Sequence, residues 1–370
     1  MIFGAWEAGG ADGLVQSLGA HERRMFDSAR AILVTKKGNI MRLTIIGAAG
    51  MIGRKLAERV AASGHLNGQT VDAMTLVDVV KPDSVAGFKG ACDAYAADLT
   101  ETGTAARLIA DRPDVIVHLA AIVSGEAEAN MEKGYRVNLD GTRALLDAIA
   151  VQDGYCPRVI YASSLAVFGA PFPMKIPDDY HLTPLTSYGT QKAMGEMMLN
   201  DYSRRGILDG VGIRFPTICI RPGKPNKAAS GFFSGILREP LNGQEAILPV
   251  DDDVRHWFAS PRAAVGYIEH AATMDTAQLG AQRCMTMPGV TATVADQIAA
   301  LSAVAGDDVA ALIRRVPDPA IATIVAGWPR DFDAARAVAF GFTAENSFRE
   351  IIEIYLEDEM GKTAQAGATR

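Results

Sequence analysis

Leu43-Thr-Ile-Ile-Gly47-Ala-Ala-Gly50-Met-Ile-Gly53-Arg-Lys-Leu-Ala-Glu-Arg-Val60 is the stretch that decides the fold. Leu43 to Ile46 reads as a buried strand. The residues from Arg54 read as a helix, with Leu56, Ala57 and Val60 on one side. Three glycines join the two. Gly47 suits a tight turn, Gly50 lets an anion come close because it has no Cβ, and Gly53 lets the helix pack against the strand. The first-turn N–H groups around Met51 and Ile52 have no partner within the helix and face that anion. A strand, a glycine turn and a helix in this order form a pyrophosphate cradle. They predict an α/β protein with a Rossmann-type, doubly wound parallel sheet.

Working outward, Thr75-Leu-Val-Asp78 ends a second apolar run, where an acid accepts hydrogen bonds from an adenosine ribose. A carboxylate there repels a 2′-phosphate, so NAD is expected rather than NADP. Ser163-Ser164 follows another apolar run. Tyr188-Gly-Thr-Gln-Lys192 opens a helical stretch behind the capping pair Thr186-Ser187. Residues four apart on a helix share a face. A tyrosine hydroxyl titrates near ~10, and an adjacent ammonium lowers such a group by roughly 1–3 units. Phenolate Tyr188 is therefore the expected base for a substrate alcohol. Ser164 would orient the same oxygen, and Lys192 would tune the phenol and hold ribose hydroxyls. Ser163 is expected to support the loop.

The glycine spacing G-x-x-G-x-x-G together with Tyr-x-x-x-Lys resembles the extended branch of the short-chain dehydrogenase/reductase superfamily, over about residues 42–356. The resemblance implies that Asp98 and Leu99 contact adenine. It also implies that Ala120, within His118-Leu-Ala-Ala121, and Pro216 lie beside the cofactor, and that Ser124 touches substrate. Asn138-Leu-Asp-Gly-Thr142 matches the family's central helix, and Ser164 to Gly169 its serine loop. Relatives of this kind pair through two helices, one carrying the tyrosine, so a homodimer is expected.

The dehydratases of this branch carry Asp-Glu after the hydroxyl residue, where this chain has Leu165-Ala166, so elimination of water is not expected. The epimerases carry Arg-Asp-Tyr-Ile-His distally. Here Arg255-His-Trp-Phe keeps the arginine and loses the rest. Arg221, Lys224, Asn226 and Lys227 gather on the loop after the sixth strand and suit an anionic substrate. Tyr161 to Gly169, Thr186 to Ala193 and Arg221 to Ala229 look like the NAD-dependent dehydrogenases of four-carbon sugar acids, which oxidise C2 of D-erythronate. Thr217 and Arg255 are the expected substrate contacts, beside Ser124 and Ser164. The alternatives are a nucleotide-sugar 4-epimerase with tightly bound NAD and a catalytically silent NAD-binding sensor.

Composition sets the remaining bounds. The 370 residues carry a net charge of −7, which argues against nucleic acid as partner. Hydrophobic residues make up 49%, with no unbroken apolar span of about 18, so no membrane helix is expected. Cys92, Cys156, Cys219 and Cys284 have no metal-binding spacing, so no metal is expected, and they suit a reducing cytoplasm. Strands are expected near 43–47, 73–78, 114–119, 157–162 and 211–220. Helices are expected near 51–63, 102–110, 126–151, 187–205, 230–239 and 262–274. An NAD-binding domain over 41–220 would then precede a smaller C-terminal lobe over 221–360, broken by Pro222, Pro225, Pro240, Pro249 and Pro261, with some segments returning to the sheet. Residues 1–40 read as an extension without the layout of a secretion signal, with one helix over 20–34. Residues 361–370 read as a flexible tail.

Overall fold

Strand β1 (Met41–Ile46) sits at the centre of a parallel sheet, between β3 (Gln69–Asp78) and β5 (Val115–His118). The computed structural model describes residues 41–223 and 230–361. The expectations for 1–40, for Lys224, Asn226 and Lys227, and for the tail after Gly361 lie outside the described residues.

Beyond β5 the sheet continues through β6 (Arg158–Ser164), β7 (Asp209–Phe215) and β11 (Cys284–Thr286), all parallel. On the other side β3 carries parallel β4 (Ala91–Ala96) and a short antiparallel β2 (His65–Leu66). The order β11-β7-β6-β5-β1-β3 reverses direction between β1 and β5. In an open α/β sheet, ligands bind at such a reversal, beyond the strand C-termini. Leu119 and Ala120, just past β5, donate their N–H groups to the Ile46 carbonyl at 2.8 and 3.0 Å, so the two strand ends are joined there.

Alternation along the strands feeds two apolar layers. Leu43, Ile45, Met74, Leu76, Val117 and Ile160 pack with Leu56 and Val60 of α1 (Met51–Ser63). Ile46, Val77, Ile116 and Val159 pack on the opposite face with Leu145, Leu146 and Leu199. Each fully buried Leu or Ile contributes about 1.5–3 kcal/mol, so these layers hold the sheet. A third core, around Phe233, Leu248, Phe258, Ile351 and Ile352, belongs to the later part of the chain.

The structure departs from expectation in three places. Strand β4 has a polar, largely exposed edge and no apolar run to announce it. The long helix expected over 126–151 is divided into α2 (Ser124–Ala129), α3 (Met131–Gly134), a π-helical stretch (Tyr135–Asp140) and α4 (Gly141–Ala150). Asn130 has a non-helical backbone and accepts from the Lys133 N–H, restarting the helix. The strand expected over 211–220 ends at Phe215, because Pro216 has no N–H for the ladder. Beyond it, β8 (Thr217–Ile218) pairs instead with β10 (Arg255–Ala259), which is flanked by β12 (Val290–Thr293). Among the described residues no helix is long and apolar enough to cross a membrane.

Candidate active site

A cavity of about 500 Å³ opens at the C-terminal ends of β1, β5, β6 and β7. Gly47, Gly50, Met51, Ile52 and Gly53 form its first wall. Gly47 has φ +95°, and a Cβ on it would lie 2.6 Å from the Ala120 nitrogen; a Cβ on Gly53 would lie 2.4 Å from the Gly47 carbonyl oxygen. Only glycine fits either place. The N-terminus of α1 has no side-chain cap and no acid in its first turn, which leaves its dipole open to an anion. These residues fit the pyrophosphate of a dinucleotide.

Asp78 stands at the end of β3 and accepts from the Ala49 N–H at 3.1 Å and the Val79 N–H at 2.7 Å. Each carboxylate oxygen keeps a lone pair beyond those bonds. Ala97 donates its N–H to the Asp78 carbonyl, which brings Asp98 alongside, and Asp98 accepts from the Thr100 N–H at 2.8 Å. Leu99 is buried in the second apolar layer. Asp78 and Ala120 thus touch the glycine turn, and neither they nor Asp98 and Leu99 line the cavity.

The second wall holds Ser164, Tyr188 and Lys192 together. Helix α5 (Ser187–Arg204) starts at Thr186, whose hydroxyl oxygen accepts from the Gly189 N–H at 3.1 Å. Lys192 Nζ donates to the Ala162 carbonyl at 2.7 Å and lies 5.8 Å from the centre of the Tyr188 ring. The electrostatics differ from the expected acidic phenol. Burial raises the Tyr188 pKa, outweighing the lowering by the Ser164 hydroxyl and the Arg221 charge. Burial also pushes Lys192 down to about 7, against the pull of Glu196. With protein groups alone, Lys192 does not make Tyr188 acidic, because desolvation weakens both charged forms at once.

Behind this wall lies an ionic cluster that sequence reading missed. Arg214 grips Glu196 through Nε and Nη2, the latter at 2.8 Å, and Ser163 donates its hydroxyl to the same carboxylate. Asp178 bridges Arg214 and Arg336. Glu196 is one turn beyond Lys192, so the cluster ties α5 to β6 and β7.

The third wall comes from residues after β7. Pro216 and Thr217 line it, with Arg221, Ser234, Arg238, His256 and Trp328, and Ser124 faces them from α2. Arg255 does not line it. It is exposed at the start of β10, and neighbouring strand residues point to opposite faces, so His256 looks into the cavity instead. The expectation that Arg255 grips the substrate is corrected accordingly. Among the described residues Arg238, paired with Glu239, and Arg221 are the cations that line this end. Arg221 Nε donates to the Ile218 carbonyl at 3.1 Å, and the Arg221 carbonyl accepts from Arg238 Nη1 at 2.8 Å. Among the described residues no cluster of His, Cys, Asp or Glu is placed to hold a metal ion.

Two buried histidines give a testable stability profile. Burial pushes His256 from 6.5 to about 4 and His118 from 6.5 to about 3. Between those values and 6.5 the unfolded chain binds protons that the folded chain refuses, so stability falls as pH drops below 6.5 and levels off once the folded groups titrate. His256 alone accounts for about 3 kcal/mol across that window. Urea midpoints between pH 7.5 and 4 should decline, with a shallower slope in His256→Phe. Parallel slopes would contradict the assignment.

Comparison with known proteins adds three findings. Residues 43–260 match the model of the NAD dependent epimerase/dehydratase family. The chain is 43% identical over 322 residues to a D-erythronate dehydrogenase of Cupriavidus necator, covering 86% of this chain and 98% of the relative. It is 39% identical over 320 residues to a D-erythronate dehydrogenase of Haemophilus influenzae, covering 86% and 100%. Among solved structures, one described as the nucleoside-diphosphate-sugar epimerase from Agrobacterium tumefaciens is 59% identical with TM-score 0.86, covering 88% of this chain and 98% of the other. A GalE-like L-threonine dehydrogenase from Cupriavidus necator in its holo form shares the fold at 22% identity and TM-score 0.74, covering 86% and 99%.

Proposed function

The chain belongs to the NAD dependent epimerase/dehydratase family, and on that premise we propose that it oxidises the C2 hydroxyl of a small sugar acid, D-erythronate, to the 2-oxo acid with NAD. One observation carries the reading: a glycine-walled anion cradle, the Ser164, Tyr188 and Lys192 group, and the guanidinium of Arg221 share one cavity. The two relatives named for D-erythronate, matched over nearly their whole length, support the choice of acid.

Gly47, Gly50, Met51, Ile52 and Gly53 hold the cofactor's pyrophosphate. Asp78 takes the adenosine ribose, Asp98 and Leu99 border the adenine, Ala120 and Pro216 flank the cleft, and Lys192 holds ribose hydroxyls. Bound NAD supplies the acceptor for the hydride that leaves C2. Tyr188 removes the hydroxyl proton at its phenolic oxygen, and Ser164 donates a hydrogen bond to the same substrate oxygen. Arg221 receives the carboxylate, with Ser124 and Thr217 as further substrate contacts. Positioned proton transfer of this kind contributes 10²–10⁴-fold. Residues 41–220 then serve the cofactor and 221–360 mainly the substrate. A cytoplasmic setting fits the four free thiols.

The test is NADH formation from a panel of four- and five-carbon sugar acids, repeated with NADP. D-erythronate with NAD should lead both series, and absence of net reduction with every acid would end the proposal. The name of the Agrobacterium structure favours a second reading, a nucleotide-sugar 4-epimerase. Such an enzyme would emerge from purification with bound NAD and interconvert sugar nucleotides without net reduction. Arg221→Ala should raise KM for the acid at least about tenfold while Arg255→Ala leaves it unchanged, since a charged hydrogen bond is worth roughly 1.5–3 kcal/mol. Equal effects would remove Arg221 from this role.

The homodimer belongs to the same reading. Met194 and Met197 on α5 and Met131 on α3 are exposed, and helix pairing would cover them. Met197→Glu should sediment as a monomer while the parent sediments as a dimer. A monomeric parent would refute the pairing.

A further inference from the structure

His256 has a ring whose protons can be counted. Its Nδ1 lies 2.8 Å from the Pro329 carbonyl oxygen. A carbonyl has no proton to give, so Nδ1 carries the hydrogen. A neutral imidazole then has only a lone pair at Nε2, which lies 2.7 Å from the Thr217 hydroxyl. Thr217 must spend its single proton there. The ring is held against reorientation by Phe233, stacked at 5.6 Å, by Phe258 edge-on at 5.5 Å, and by Trp328 at 5.4 Å. Its burial among these rings also keeps it neutral, with a pKa pushed to about 4.

Thr217 therefore shows the cavity lone pairs and no proton. We infer that Thr217 accepts a hydrogen bond from a substrate hydroxyl other than the one oxidised, and that His256 is the positioning residue that fixes this polarity. The subsite takes an O–H donor and repels a carboxylate or carbonyl oxygen. It thereby sends the acid group of the substrate toward Arg221, on the same wall of the cavity. The substrate half of this inference rests on the sugar-acid reading above.

Three acids separate the possibilities: 2,3,4-trihydroxybutanoate and its two analogues lacking the 3- or the 4-hydroxyl. Thr217→Val should lower kcat/KM for the trihydroxy acid roughly tenfold to a hundredfold. It should leave almost unchanged the one analogue that already lacks the donor. His256→Phe, which keeps the stacking and loses the acceptor, should reproduce that pattern. His256→Gln, whose amide oxygen can again accept from Thr217, should recover most of the loss. Equal losses on all three acids would show a merely structural role and overturn the inference while leaving the sugar-acid reading intact. Failure of the parent enzyme on all three acids would overturn both. Proton assignment has its own readout: ¹⁵N NMR of the imidazole should show hydrogen on Nδ1 and a bonded lone pair at Nε2, perturbed in Thr217→Val. Hydrogen on Nε2 would sink the inference whatever the kinetics.

Discussion

Tyr188→Phe should lose at least about a hundredfold in kcat with its NAD affinity intact. The substitution removes one oxygen and keeps the half-buried ring that lines the cavity, so folding is not at stake. Loss of that oxygen leaves the substrate hydroxyl with no proton acceptor, because Ser164 is a neutral donor and Lys192 is directed at the Ala162 carbonyl 2.7 Å away. Burial holds the Tyr188 proton more tightly than in water. The remaining help must come from Arg221 and the charge of bound cofactor, so kcat should rise with pH in the parent and lose that limb in the variant. Steady-state rates across pH 6 to 10, with NAD binding followed by fluorescence, give the comparison. A variant with normal turnover would take Tyr188 out of the chemistry.

Arg214→Met should cost about 3–5 kcal/mol of stability, because it leaves a buried carboxylate without its partner. Side-chain exposure is 3% for Arg214 and 1% for Glu196, so water cannot substitute for the lost guanidinium. The double variant Arg214→Met with Glu196→Gln should recover part of that loss, since the stranded charge goes with it. Guanidinium unfolding of the parent and the two variants is the measurement. A single variant that unfolds within about 1 kcal/mol of the parent would mean that the pair contributes nothing.

Much of this molecule can be read from its letters, for reasons that differ by element. Leu43 to Ile46 and Val115 to His118 announce themselves because a strand buried on both faces must be continuously apolar. The glycine turn is legible because Gly47 and Gly53 sit where no other side chain has room. Ala91–Ala96 is not legible, since an edge strand half in solvent has no hydrophobic period to display. The choice between Arg255 and His256 depends on which face of a five-residue strand turns inward, and a one-residue slip reverses it. The Arg214, Glu196, Asp178 and Arg336 cluster joins four distant segments, and no local pattern links them. The burial that opposes ionisation of Tyr188 is hidden for a related reason: spacing reveals a nearby cation, whereas desolvation depends on all the surrounding segments.

Every residue of the cradle wall precedes position 54, and Ser230, Ser234, His256 and Trp328 all follow position 229. The cradle and the wall to which Thr217, Arg221 and His256 contribute are therefore set by separate stretches of the gene, with Ser124 and Ser164 lying between them. A protein engineer can exchange the later stretch to seek a new fuel while leaving the earlier one untouched, and natural divergence has the same freedom.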